Sequence, residues 1–111
     1  MKSYVLSLIT LVVLSACQKN TQDFNLLKKL SKEYAKITEC ELEGQTVYKG
    51  QLNAYDAPEM VYNTKGELLC ICDWSWGSPE TICFDILKCK VIYCKKDNIW
   101  GQPAVDTYGL N

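Results

Sequence analysis

Residues 23–37, DFNLLKKLSKEYAKI, form the most regular pattern in the chain. Its apolar residues recur at every third or fourth position, and lysines and a glutamate fill the opposite side. This period predicts an amphipathic helix that packs one face against a core. Thr21 or Asp23 is expected to cap its first turn, because their side-chain oxygens can accept hydrogen bonds from the free backbone N–H groups there.

The chain after this helix has the patterns of β-structure. Short runs of alternating apolar and polar residues are separated by Gly- and Asn-containing turns, as in antiparallel hairpins. Residues 23–111 are therefore predicted to form a single, disulfide-rich α+β domain, with an N-terminal amphipathic helix packed on a small antiparallel sheet. The expected strands are residues 39–42, 45–52, 59–62, 67–72 and 89–95, with a short helix at 79–87.

The chain begins with the pattern of an export signal. Met1-Lys2-Ser3 is basic, and residues 4–14 are almost wholly apolar. An apolar run of about 11 residues is too short to span a bilayer as a helix. The following Leu14-Ser15-Ala16-Cys17 resembles the lipobox of bacterial lipoproteins. The resemblance implies a signal peptide at 1–16, diacylglycerol attachment at Cys17, and a lipidated tether at 17–22.

The lipobox resemblance also implies a cellular location. Two or three acyl chains on Cys17 would hold the protein on a membrane, whereas one chain binds only marginally. Gln18 is not the aspartate that resembles an inner-membrane retention signal, so we expect the outer membrane of the cell envelope, on its periplasmic or its surface face. The alternative is an ordinary secretory signal cut near Ala16, which would leave Cys17 as a free thiol.

Cysteine number and spacing predict a disulfide framework. There are seven cysteines, and setting Cys17 aside leaves an even number in an exported chain, which predicts three disulfides. Cys70 and Cys72 are two residues apart in a predicted strand, so bonding to each other would be strained. Many pairings are possible with these cysteines. The working prediction is Cys72 with Cys83, Cys70 with Cys89, and Cys40 with Cys94.

Composition excludes several classes of function. The chain has no histidine, which removes Ser-His-Asp and Cys-His nucleophile systems and histidine-ligated metals. It also lacks arginine and has a net charge of −1, which argues against nucleic-acid binding. Carboxylate-only catalysis needs two acids on a cleft, and no motif singles out a pair. We therefore expect no catalytic residue, no metal, no small-molecule cofactor and no enzymatic activity. The scattered acids considered are Asp56, Glu59, Asp73, Glu80 and Asp85.

Aromatic residues in polar or irregular segments are the candidate binding groups. Trp74 and Trp76 lie in a short polar loop, Trp100 lies in the irregular tail, and Tyr55 lies in the loop at 53–58. Such rings can stack on a sugar or insert into a partner protein, although small stapled domains also use tryptophan as core filler. The first hypothesis is a membrane-anchored, non-enzymatic envelope lipoprotein that binds a protein or a glycan or has a structural role.

Two alternative functions remain open. A small disulfide-framed protease inhibitor could use the 53–58 loop, because a rigid loop binds with little ordering cost. A thiol-redox or zinc-binding protein could use the Cys70-Ile71-Cys72 spacing or four of the cysteines. Beyond residue 37, the segments Gly44-Gln45-Thr46-Val47-Tyr48 and Trp100-Gly101-Gln102-Pro103 are similar to small uncharacterised envelope lipoproteins of bacteria, a resemblance that implies the class and no site residues.

Overall fold

The computed structural model of the protein describes residues 19–74 and 80–111. The predicted signal peptide, the lipobox with Cys17, and Trp76 lie outside these residues. Within the described part of the chain, no helix is long and apolar enough to cross a membrane.

Helix α1 spans Thr21–Glu33, so it begins and ends earlier than predicted. Asn20 rather than Thr21 or Asp23 is the cap, and its side-chain oxygen accepts a hydrogen bond of 2.8 Å from the backbone N–H of Asp23. The helix ends where the backbone becomes extended at Tyr34. The backbone N–H of Ala35 already bonds to Gln51 at 2.9 Å, so pairing with the sheet replaces the last predicted helical turn.

The strands form one antiparallel sheet that α1 covers on one side. Among the described residues the sheet has six strands in the order β4-β3-β2-β1-β5-β6, with the ranges given below. The predicted helix at 79–87 is replaced by a 3-10 helix at Thr81–Asp85, and β6 lies in the tail that was expected to be irregular. The strands are β1 Lys36–Leu42, β2 Gln45–Gln51, β3 Glu59–Asn63, β4 Leu68–Cys72, β5 Ile86–Cys94 and β6 Val105–Asp106.

Both predicted hairpins are present, and turn residues explain their register. Between β1 and β2, Glu43 and Gly44 both have positive φ, at 52° and 78°, a backbone twist that matches the twist of the strands. Between β3 and β4, the side chain of Asn63 accepts hydrogen bonds from the backbone N–H groups of Lys65 and Glu67, at 3.0 and 2.9 Å. Asn63 thereby closes this turn locally.

The helix-side core fills the space between α1 and the sheet. The ring of Tyr34 lies directly on Gly50, where an added Cβ would approach the ring to 2.5 Å. Tyr48 is fully buried, and its hydroxyl donates a 2.7 Å hydrogen bond to Asp23. Burial and this hydrogen bond raise the pKa of Tyr48. The buried members of the helix-side core are Leu27, Leu30, Tyr34, Ile37, Tyr48, Ile92, Tyr93 and Leu110.

The cysteine-side core lies on the opposite face of the sheet and is built from smaller residues. Two disulfides cross it, Cys40–Cys89 between β1 and β5, and Cys72–Cys83 between β4 and the 3-10 helix. Its buried members are Cys40, Val47, Val61, Cys70, Cys72, Cys83 and Ile86.

The disulfide pattern matches the prediction in one bridge out of three. The Cys72–Cys83 bond is the predicted one. The predicted Cys70–Cys89 bond is wrong, because Cys70 is on β4 and Cys89 on β5, four strand spacings or about 19 Å apart. Cys89 instead bonds to Cys40, which lies across from it on the adjacent strand β1.

The predicted Cys40–Cys94 bond is wrong for a reason of register. Cys94 pairs with Lys36 at the start of β1. Cys40 lies four residues further along β1, which places it about 13 Å from Lys36 along the strand. Cys70 and Cys94 are consequently buried free thiols, also about 19 Å apart across the sheet. With two thiols free, an even cysteine count no longer supports lipidation of Cys17.

Candidate binding groove

A groove of about 320 Å³ opens where the loop after β2 meets the end of β4. Two aromatic side chains in it are exposed, Tyr55 to 72% and Trp74 to 49%. These two belong to the four aromatic residues that the sequence singled out. The groove is lined by Gln51, Tyr55, Asp56, Ala57, Glu59, Asp73 and Trp74.

Trp74 is held in place by polar and aromatic contacts. Its indole N–H donates a hydrogen bond of 2.6 Å to Glu59, whose other oxygen forms an ion pair of 3.2 Å with Lys49. The ring meets Phe84 edge to face at a centroid distance of 5.4 Å. Phe84 is next to Cys83 in the 3-10 helix, so the Cys72–Cys83 bridge also supports the position of Trp74. The indole is therefore fixed while about half of its surface stays open.

Tyr55 is anchored by its hydroxyl rather than by its ring. The hydroxyl donates to the backbone carbonyl of Ile99 at 3.1 Å, and the side chain of Asn53 accepts from the backbone N–H of Ile99 at 2.8 Å. The 53–58 loop is thus tied to the segment that follows β5. Both aromatic rings are positioned before any ligand arrives, which reduces the entropy cost of binding.

The groove is acidic. Asp56, Glu59 and Asp73 line it, and Lys49 forms an ion pair with Glu59. Ionised carboxylates only accept hydrogen bonds, so the groove suits ligands rich in hydroxyl, amide or ammonium donors. Exposed ring faces add an apolar surface on which a flat, partly apolar ligand can stack.

The sequence indicated two of the aromatic residues of the groove, but it did not indicate which residues contact them. Trp74 and Tyr55 meet at the groove as binding candidates, but Trp100 is not among its lining residues, and its ring lies 4.2 Å from the ammonium of Lys36. Trp76 lies outside the described residues. The core-filler alternative does not hold for Trp74, which is half exposed.

The sequence indicated only weakly which acidic residues line the groove. Asp56 follows Tyr55 and Asp73 precedes Trp74, so each groove ring has an acidic neighbour in the chain. Glu59 had no such signal, because its contact with Trp74 depends on the pairing of Glu59 with Cys72 across β3 and β4. The contacts of Phe84 and Lys49 depend on tertiary structure in the same way.

A second group of reactive side chains lies in the cysteine-side core. The sulfur atoms of Cys70, Cys72 and Cys83 are all within 4.8 Å of one another, and they are the residues that could hold a metal in the described part of the chain. All three are buried.

A larger depression, of about 610 Å³, lies beside the first turn of α1. None of the described residues that line it is aromatic, and no cluster of ionised groups marks it as a site.

No protein-family model, curated protein or solved structure matches this chain.

Proposed function

We propose that this protein is a lipid-anchored, non-enzymatic lipoprotein of the bacterial cell envelope whose groove binds carbohydrate. The observation that carries the proposal is the pair of exposed rings, Tyr55 and Trp74, each fixed by its own hydrogen bond beside a set of carboxylates.

Carbohydrate fits the groove for two chemical reasons. One face of a pyranose ring is lined by C–H groups and stacks on an indole or phenol, while its hydroxyls donate to carboxylates. The volume of about 320 Å³ is at the low end of the range of roughly 300–1,000 Å³ for small-ligand pockets. A short oligosaccharide is therefore the favoured ligand.

The charge of the groove narrows the class of sugar. Asp56 would repel a carboxylated or sulfated sugar, and the ammonium of Lys49 is already paired with Glu59. Neutral sugars, N-acetylated sugars and amino sugars are the expected ligands.

The start of the described chain is compatible with a domain that lies close to the membrane. The Lys19 ammonium bonds to Glu39 at 2.6 Å and lies 5.6 and 5.2 Å from the ring centroids of Tyr48 and Tyr108. The chain is thus held on the domain two residues after Cys17. Lipidation of Cys17 would place the domain near the bilayer, and the proposed outer-membrane address rests on Gln18.

The protease-inhibitor alternative draws less support from the same loop. An inhibitor loop must project into the cleft of an enzyme, whereas the 53–58 loop lines a concave groove and is tied down at Asn53 and Tyr55. The loop geometry therefore favours a site that receives a small ligand.

Calorimetric titration of the full-length lipoprotein in detergent tests sugar binding. The probes are a chito-oligosaccharide, a cello-oligosaccharide and a sulfated oligosaccharide as the anionic comparison. We expect binding of at least one neutral probe, and Trp74→Ala should weaken it by about tenfold or more, which corresponds to about 1.4 kcal/mol. Trp100→Ala is the matched control, since its ring is not part of the groove, and it should bind as the wild type does.

Two outcomes would contradict the groove assignment. One is the absence of binding by every neutral probe, and the other is binding that Trp74→Ala leaves unchanged. The anchor is tested separately by fractionation of cells that produce Cys17→Ser. This variant should leave the membrane fraction, and continued membrane residence at the wild-type level would contradict lipidation.

A further inference from the structure

Three sulfur atoms meet on the cysteine side of the sheet, outside the groove. Cys72 and Cys83 are bonded to each other, and the Cys70 sulfur lies 3.9 Å from that of Cys72. All three sulfurs lie within 4.8 Å of one another. A buried thiol is therefore in contact with a disulfide.

The Cys70 thiol has no disulfide partner of its own. The other free thiol in the described part of the chain, Cys94, is on β5, about 19 Å away across the sheet. Burial raises the pKa of Cys70, the charge of Glu80 raises it further, and Lys49 opposes them.

We propose that reduction of the Cys72–Cys83 bond creates an all-sulfur site in which Cys70, Cys72 and Cys83 bind one thiophilic cation, Cu(I). A dithiol reductant supplies two electrons and two protons, so the bond becomes two thiols while the dithiol becomes a disulfide. Cu(I) then binds to the three sulfurs and displaces their protons to solvent.

The donor set selects Cu(I) over other metals. Thiolates are soft ligands that favour Cu(I) and Zn(II), and the chain has no histidine to add imidazole nitrogen. Structural zinc sites are almost always closed by four protein ligands, and this cluster offers three. Two sulfurs at about 2.3 Å from a common metal in a trigonal arrangement lie about 4 Å apart. The Cys70 and Cys72 sulfurs already have this spacing, at 3.9 Å.

Anaerobic titration of the full chain with Cu(I) tests the site. The chain is reduced with a phosphine, and Cu(I) is supplied in competition with a chromogenic Cu(I) chelator. Alkylation with and without Cu(I), followed by peptide mass mapping, identifies the thiols that the metal protects. We expect one Cu(I) per chain and protection of Cys70, Cys72 and Cys83 together.

Matched variants separate this site from the other cysteines. Cys70→Ala should lower the affinity by more than about tenfold, since even changes beyond the direct ligands cost about 10 to 100-fold. Cys94→Ala removes the other buried free thiol and should bind like the wild type. The oxidised wild-type chain keeps only Cys70 of this cluster as a thiol and should not bind Cu(I) there.

The proposal is overturned by protection of Cys40 and Cys89 alone, by equal affinities for wild type and Cys70→Ala, or by no binding. If the reduced chain loses its circular dichroism signal, Cu(I) should restore that signal in the wild type and not in Cys70→Ala. Failure of Cu(I) to restore the signal would also overturn the site. None of these outcomes depends on sugar binding.

Discussion

The two faces of the sheet are stabilised by different means. The helix-side core buries large side chains such as Leu27, Ile37 and Tyr48 beneath α1. The cysteine-side core consists of smaller residues, and the described part of the chain covers it with a 3-10 helix and two disulfides rather than with an α-helix. A face that buries little apolar area gains little hydrophobic stabilisation, and covalent links compensate for that loss.

The two faces of the sheet differ in how open they are to a ligand. A face covered by a packed helix is closed, whereas a face held by disulfides can be rigid and still open. Glu59 of the groove lies beside Cys72 on the cysteine side, and the three-sulfur cluster lies on the same side. Both proposed sites therefore belong to the face that lacks a covering α-helix among the described residues.

Removing each disulfide in turn is the strongest test of how the cysteine-side face is stabilised. Cys40→Ala with Cys89→Ala opens a loop of 49 residues and should cost about 4 kcal/mol of unfolding free energy. Cys72→Ala with Cys83→Ala opens a loop of 11 residues and should cost about 3 kcal/mol. Equilibrium urea unfolding of the full chain measures both values. Costs below 1 kcal/mol for both pairs would refute the idea that disulfides hold this face.

A substitution on the helix side tests close packing. Gly50→Ala places a methyl group 2.5 Å from the Tyr34 ring, which must move away from its place between α1 and the sheet. The expected cost is about 2 to 3 kcal/mol, at the upper end for overpacking of a core. The variant should lower the thermal midpoint under reducing and oxidising conditions alike, and an unchanged midpoint would mean that Tyr34 is not tightly packed.

The buried polar pair of the helix-side core is expected to have a somewhat smaller effect. Tyr48→Phe removes the donor to Asp23, which is only 6% exposed, and should cost about 2 kcal/mol because a buried acceptor loses its partner. Tyr93→Phe is the matched control, since among residues 19–74 and 80–111 its hydroxyl makes only a long contact of 3.5 Å, to Asn111. Equal losses in the two variants, measured by urea unfolding, would argue against a special role of Asp23.

The smallest expected effect concerns the ion pair of Lys19 with Glu39, and it depends on pH. Burial alone would raise the pKa of Glu39, but the hydrogen bond from Lys19 and the charges of Lys19 and Lys90 outweigh it and hold the pKa below its ordinary value. The resulting stability is present above the unfolded-state pKa and is lost as the pH falls through the folded-state pKa. Glu39→Gln should therefore cost about 1 kcal/mol at pH 7 and little at pH 3.

The matched control for Glu39 is Glu41→Gln. Glu41 and its partner Lys88 have side chains that are 47% and 75% exposed, so that substitution should have almost no effect at either pH. A cost at pH 3 as large as that at pH 7 would show that Glu39 acts through packing and not through its charge.

Local patterns were sufficient for the class of fold. The spacing of Phe24, Leu27 and Leu30 predicted the helix, and Glu43-Gly44 and residues 63–66 predicted the two hairpins. These signals work because they depend on neighbours a few residues apart. The end of the helix was wrong by four residues, since the pairing of Ala35 with Gln51 was a contact that no local period could reveal.

The groove was predictable only in part. Tyr55 and Trp74 were chosen because aromatic rings in polar loops are unusual, but the sequence equally offered Trp100, whose ring lies against Lys36 and outside the groove. What separates these residues is the pairing of β3 with β4, which brings Glu59 to Trp74.

The α+β class, the hairpins and the rule that Cys70 and Cys72 do not bond to each other could be predicted from the sequence, because each depends on local geometry. The disulfide partners of the cysteines depend on the tertiary structure. The strand order puts β5 beside β1, so Cys89 forms a disulfide with Cys40, and Cys70 and Cys94 remain thiols. Strand order is set by non-local packing of the whole sheet, so it cannot be predicted from the spacing of the cysteines along the chain.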